Sequence, residues 1–371
     1  MSKRKVFSMV SDSNKFNRRS ILKGFGVGAA YMVLGSQVFA PKSAYASARS
    51  QLPGKDELFE KKPGPATVAI KKGNDRREII RAVLDSIKDD IVKSIGNKKI
   101  LIKPNFVTTN VELCATHVDE VRAILDFLKD IGYDQQITIG ESPAGRRTME
   151  GFENYGYTAL EKEFDVKLVD LNETPTVPRF IMGRENSILP VRIISMFLDS
   201  DVYVISAAKM KTHDRAVTTL SLKNILMGSP VITRGENSKQ KMHQTQIASP
   251  ASILHFNLFQ LATQGIYPDL GVIDGFEAME GDGPIRGTPV DTKIAMASLD
   301  PLALDCIGTK MMLKDFDPMW IGYLRALGQA GMGQTDLSKV TVLGESIEDC
   351  QFNFRPHSYM AQSYGLKWSP S

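Results

Sequence analysis

The chain has 371 residues, 42% of them hydrophobic and 24% charged, and its 46 Lys/Arg against 42 Asp/Glu give a formal net charge of +4. That is enough apolar residue to build a sizeable core, which excludes a disordered polyelectrolyte. The basic balance is confined to the start. Residues 1–46 carry eight Lys/Arg and one acid, leaving 38 basic and 41 acidic residues, a net of −3, so no footprint for nucleic acid remains.

The first 46 residues read as an export signal. Asn17-Arg18-Arg19-Ser20-Ile21-Leu22-Lys23 has the twin-arginine pattern, a Gly- and Ala-rich apolar stretch follows over 24–39, and Ala44-Tyr45-Ala46 offers a small-x-small cleavage site. The expected location is periplasmic or otherwise extracytoplasmic, with the twin-arginine translocase as a partner during export. The apolar stretch is short of the ~20 residues that a spanning helix needs, so no stable membrane anchor is expected. Residues 47–65 are polar, contain Pro and Gly, and read as a linker. The expected division is then signal peptide 1–46, linker 47–65, an α/β domain over 66–345, and a C-terminal tail over 346–371.

From residue 66, strands and helices alternate. Strands are expected at 67–70, 99–102, 136–139, 166–171, 202–206, 270–273, 292–297 and 339–343. Helices are expected at 76–95, 118–131, around 155–164, and at 251–263, 301–313 and 318–330; 178–198 reads as a hairpin or edge pair. Such alternation predicts an α/β fold, a mainly parallel sheet with helices on both faces, built as one large domain or two lobes. In such sheets ligands bind beyond the carboxyl ends of the strands. Polar residues do collect there.

The densest cluster follows the apolar run Val202-Tyr203-Val204-Ile205. Lys209, Lys211 and His213 are spaced by two, which puts all three side chains on one face of an extended chain. Ser221, Lys223 and Asn224 come next on a helix-like segment ending at Gly228. Lys103 and Asn105 follow another strand. Thr116 reads as a helix cap and His117 as a first-turn histidine held neutral by the helix dipole. Glu141 and Ser142 sit on a small-residue turn, and His243 stands in a charged loop over 229–248 that reads as a flap or a plain exposed segment. Asp274, Glu280 and Asp282 lie in a glycine-rich stretch read as a loop whose carboxylates can hold a hard cation, so a divalent metal is the expected cofactor if one is present. His255 reads as structural, Asp300 and Pro301 as a helix cap and first residue, and Asp305 as solvated. Cys114, Cys306 and Cys350 are isolated, with no four-cysteine spacing for an iron–sulfur cluster.

In order, Lys103-Pro104-Asn105, Thr116-His117, Gly140-Glu141-Ser142, Lys209-Met210-Lys211-Thr212-His213, Ser221-Leu222-Lys223-Asn224, Asp274-Gly275, Met279-Glu280-Gly281 with Gly283-Pro284, and Asp300-Pro301 with Ala303 and Asp305 resemble the family catalogued as domain of unknown function 362. The resemblance spans about 66–345 and implies an α/β fold with these motifs at one site. It brings no established reaction. Some relatives carry an added ferredoxin-like four-cysteine run, which this chain lacks. Lys211-Thr212-His213 is faintly similar to nickel-pincer lactate racemases, over too few residues to transfer a mechanism.

Three functions compete. The first is an enzyme acting on a small anionic substrate. Lys209, Lys223, Lys103, Asn105, Glu141, Ser142, Asn224 and His243 would bind the substrate, while His213 or His117 would move the proton, with Lys211 counted beside them as catalytic. Asp274, Glu280 and Asp282 would hold the metal. The second is a non-catalytic ligand, cofactor or metal carrier using the same cluster. The third, a redox or iron–sulfur-associated protein, is the least supported by the cysteine spacing.

Overall fold

The computed structural model describes residues 64–145, 147–243 and 252–366. The leader and most of the linker lie outside the described residues. In chain order the elements begin with β1 (Ala66–Lys72), α1 (Arg76–Ser86), α2 (Lys88–Ile95), β2 (Lys99–Lys103), α3 (Val118–Asp130), β3 (Ile137–Glu141), α4 (Thr148–Asn154), α5 (Leu160–Glu163) and β4 (Val166–Asp170). There follow β5 (Thr176–Met182), β6 (Ile188–Ile194), β7 (Val202–His213), β8 (Val217–Thr219), α6 (Ser221–Gly228), β9 (Ile232–Thr233), β10 (Glu236–Asn237), α7 (Ser238–Met242) and α8 (Ser252–Thr263). The last are β11 (Leu270–Asp282), β12 (Arg286–Ser298), α9 (Pro301–Met312), α10 (Gly322–Gln329), β13 (Val340–Gly344) and α11 (Ser358–Tyr364).

Nine strands make one sheet in the order β13-β1-β12-β11-β7-β2-β3-β4, with β8 paired antiparallel to β7. Only β12 and β8 run against the rest, so the sheet is mainly parallel, as the alternation requires. Residues from Lys61 onward form one compact unit, and no division into two lobes appears there. The 176–194 segment is the expected hairpin.

Strand period decides what covers each face. Tyr203, Ile205 and Ala207 of β7 join Ile80, Val83, Ile124 and Phe127 of α1 and α3 in one buried cluster. The alternate face meets α6 and α9. A side chain at Gly271 would strike Leu304 and Ser221, both at 2.5 Å, so glycine permits that close approach. Each fully buried aliphatic contributes about 1.5–3 kcal/mol to such a core.

Several expected elements change shape. The single helix over 76–95 breaks at Ile87, whose non-helical φ of −124° caps both α1 and α2. β7 runs seven residues past its expected end, so Lys209, Lys211 and His213 belong to the strand itself. The glycine-rich stretch after Asp274 is not a loop. It is the second half of β11, paired with β12 as far as Asp282 opposite Arg286, with an irregularity between Gly275 and Glu277. The tail is anchored: Phe352 and Phe354 donate to the Met311 and Met312 carbonyls, and α11 follows. Asp300 caps α9 by accepting from Leu302 and Ala303, with Pro301 first in the helix, as expected.

Candidate functional site

Lys103, Glu141 and His213 end the parallel strands β2, β3 and β7, and around them opens a cavity of about 480 Å³. That volume suits a small organic molecule. Asn105, Ser142, Lys223, Asn224 and His243 also line it, so eight of the expected site residues share one cleft.

One buried network fixes its wall. Lys103 Nζ donates to Glu141 Oε1 at 2.8 Å, to the Pro104 carbonyl at 2.8 Å and to Asn224 Oδ1 at 3.0 Å. Glu141 also accepts from Phe106 N at 2.8 Å and Ser142 N at 2.6 Å. Asn224 links the strands by donating to the Lys103 carbonyl and Ser206 Oγ while accepting from Asn105 Nδ2. Gly228 is the close-approach point: a Cβ there would fall 2.0 Å from Lys103 Cε.

α6 carries Lys223 and Asn224 to the rim, and Asp305 secures the start of that helix. Its carboxyl, fully buried, accepts from Ser221 N at 2.8 Å and Leu222 N at 3.0 Å. Burial pushes it up to about 8 against those bonds. The expectation of a solvated Asp305 is therefore overturned; its acceptors are spent on the helix N-terminus.

Lys239, which the sequence reading left in the charged loop, is also in the site. It lies on α7 one turn before His243, and both line the cavity. Lys239 Nζ donates to Ser142 Oγ at 3.1 Å and to the Met227 and Gly228 carbonyls at 2.8 and 3.0 Å. Its i, i+4 spacing to His243 was the available signal. Burial and then the charge of Lys103 lower Lys239 to about 7.

Lys223 differs from the other lysines. It is 6% exposed, lines the cavity, and makes no hydrogen bond or ion pair among the described residues. Burial lowers it to about 8, with Asp214 opposing and Lys103 adding to the shift. Lys211 sits outside the lining, fully buried, donating to Asn105 Oδ1 and to the Cys114 carbonyl; burial lowers it to about 7. It supports Asn105 from behind the cavity wall.

His213 is 3% exposed, and its Nδ1 accepts from Arg215 N at 3.0 Å and Ala216 N at 3.2 Å. Those two donors fix the neutral tautomer with the proton on Nε2, although Asp214 Oδ1 also lies 2.9 Å from Nδ1. Burial and then Lys223 hold His213 down at about 3, and His243, for the same two reasons, at about 4. At neutral pH His213 is an uncharged imidazole whose Nδ1 is occupied by two backbone amides, which leaves its Nε2–H to donate.

The remaining expected residues stand elsewhere. His117, not Thr116, caps α3 by accepting from Asp119 N. Thr116 Oγ1 instead ties Asn105 N to the Ala207 carbonyl. Burial, then Arg76, lowers His117. Lys209 is 2% exposed and faces Glu277 at 4.0 Å. Asp274 is buried, accepts from Phe276 N, and faces Arg76 Nε at 3.2 Å outside hydrogen-bond geometry. Glu280 accepts from Arg355 N and Asp282 from Ser358 N. Asp274, Glu280 and Asp282 thus serve different partners and do not converge. Among the described residues no group of three or more His, Cys, Asp or Glu is arranged to hold a metal. His255 is buried and stacks on Tyr323, as expected of a structural histidine. The three cysteines are buried and free.

Fold and site together define an α/β protein with a lysine-lined cavity at the strand ends. The family model described as "Domain of unknown function (DUF362)" matches residues 100–310, more than half the chain, and the chain belongs to that family. The chain is similar to the "Thylakoid-associated protein sll1697" of Synechocystis sp. (strain ATCC 27184 / PCC 6803 / Kazusa), 27% identical over 275 residues, covering 72% of this chain and 79% of that one. Among solved structures it is similar to the lactate racemase apoprotein from Thermoanaerobacterium thermosaccharolyticum, with a TM-score of 0.38, 13% identity, and coverage of 64% of this chain and 54% of that one. A Thermotoga maritima protein gives a TM-score of 0.36 at 12% identity, over 59% of this chain and 55% of that one. The chain spans about half the length of either solved structure.

Proposed function

We propose that the cavity is the active site of an enzyme acting on a small anionic molecule. The observation that carries this is the imbalance of charge around it. Among the described residues, Lys103 is matched by Glu141, but Lys239 donates only to neutral acceptors and Lys223 has no direct partner. Buried ammonium groups left uncompensated are costly, and an entering carboxylate or phosphate relieves that cost. Lys223 offers the anion free donors, His213 offers an imidazole N–H, and Lys103 and Lys239 supply fixed positive potential. Lys223, whose value near 8 suits it to both accept and release a proton, is the proton-transfer group. The direct test is calorimetric titration of the purified protein with pyruvate, lactate and inorganic phosphate. Lys223→Met should weaken the bound anion by roughly 10–100-fold, the worth of one charged hydrogen bond. Equal affinity in both proteins would remove the site. If one of these anions binds but no turnover of a bound carboxylate is found by product analysis, the cavity belongs to a carrier.

The same reading places the protein outside the cytoplasm. Its support is the Arg18-Arg19 leader together with the similarity to a protein described as thylakoid-associated. Replacing both arginines by lysine should leave the uncleaved chain in the cytoplasm; unchanged export of that variant would exclude the twin-arginine route.

A further inference from the structure

The cavity lysines are not equivalent as nucleophiles. An ammonium has three protons to donate, and Lys103 Nζ has three acceptors, in Glu141, Pro104 and Asn224. Lys239 likewise has three, in Ser142, Met227 and Gly228. Lys211 is tied to Asn105 and Cys114 and lies behind the cavity wall. Deprotonating any of these costs hydrogen bonds as well as charge. Among the described residues Lys223 alone of the four has no acceptor to hold its protons, and it is buried on the lining.

Resting on the anion-site reading above, we infer that Lys223 is a Schiff-base lysine, and that the cavity takes small oxo acids whose carbonyl carbon meets its amine. A desolvated lysine beside other cations is an activated amine nucleophile. The cationic surroundings hold the carboxylate of such a substrate, and the adjacent carbonyl is then presented to Nζ. Asp214 is the carboxylate whose charge acts most on Lys223, and it lines the same cavity without a direct bond to that amine among the described residues.

The step balances without any redox partner. The ammonium gives one proton to solvent water, and the freed lone pair adds to the carbonyl carbon, forming the C–N bond of a carbinolamine. The C–O bond then breaks, and the oxygen leaves as water with two protons, one from the nitrogen and one taken back from solvent. The product is a protonated imine carrying the single positive charge that the ammonium brought.

The test is reductive trapping. The purified protein is incubated with pyruvate, treated with cyanoborohydride, and analysed by intact mass and peptide mapping, with lactate as the control anion that has no carbonyl to attack. The expected result is one adduct per chain, with the mass of pyruvic acid less one oxygen atom, on the peptide containing Lys223. Lactate should suppress it by competition. Lys223→Arg keeps a positive charge but has no amine nucleophile, and should lose the adduct. Lactate binding without any trapped adduct, or trapping spread over several lysines, overturns the imine and leaves the anion site standing. Absence of both lactate binding and the adduct overturns the two together. Should Lys223→Arg fail to fold, the mapping of the wild-type adduct still decides the residue.

Discussion

Lys209 and Lys211 are two residues apart on β7, point to the same face, and finish in different surroundings. The neighbouring strand makes the difference. β11 places Asp274 beside Lys209 but, after its irregularity at Gly275 and Glu277, Met279 beside Lys211. Lys209 therefore enters a group that supplies its own counter-charges, with Asp274, Glu277, Glu120 and Arg76 close by. Lys211 enters a region whose other members, Lys103, Lys223 and Lys239, outnumber their carboxylates, and which opens on the cavity. The first region is electrically complete. The second is complete only with an anion in it.

The largest effect should come from unbalancing the one pair in the cavity wall that is balanced. Glu141→Gln removes the carboxylate bonded to Lys103, and sets an amide where Phe106 N and Ser142 N both donate. Removing one partner of a buried pair typically costs about 3–5 kcal/mol. Urea denaturation should show a loss of this size, and Lys103→Met together with Glu141→Gln should lose less than the two single losses added. Additive losses would mean that the pair does not couple.

The pH dependence of anion binding sharpens the contrast at a smaller scale. Lys239 and Lys223 hold an anion only when protonated, and they lose that proton near pH 7 and 8. Affinity should therefore be full below about pH 6.5, fall by up to ~10-fold per unit between 7 and 8 and by up to ~100-fold per unit above 8, since each of the two titrating groups shifts the equilibrium by about tenfold per unit. Imine trapping, which needs the neutral amine, should rise over the same range. An affinity flat from pH 6 to 9 would put the anion elsewhere.

Much of this was legible because strand ends and cap residues are local signals. Lys103, Glu141, His213, Lys223 and Asn224 could be placed by asking which polar residues follow apolar runs, and Asp300-Pro301 by cap chemistry alone. What was not legible depends on pairing across the sheet. Asp274, Glu280 and Asp282 look like a ligand set when the glycines between them suggest a loop; hydrogen bonding to β12 extends the chain and sends each acid to its own partner. Asp305 looks solvated until α6 is packed against α9. Lys239 hides in a segment with no apolar period, because α7 is only five residues long and is held by the cavity it helps to line.

The smallest effect expected of a buried charge belongs to the complete region. Glu120 is fully buried beside Asp274, and among the described residues neither of its oxygens has a partner in hydrogen-bond geometry. Burial first, and Asp274 second, push its carboxyl well above the ordinary range, so it is held as the neutral acid. A carboxyl with a raised folded-state value contributes stability that is fully present below its unfolded value of about 4.3, and that is lost as pH rises through the folded value. Glu120→Gln replaces a neutral acid by a neutral amide of similar shape, and should change stability at pH 5 by less than about 1 kcal/mol. As pH rises from 6 to 9 the variant should gain on the wild type, because it has no proton to lose. Thermal unfolding of both proteins across that range reads the difference. A variant weaker by several kcal/mol at pH 5, with no crossing at higher pH, would show Glu120 to be an ionised partner of Lys209 or Arg76. The region around Lys209 would then have one more negative charge than assigned to it, and the contrast with the cavity would rest on Lys223 alone.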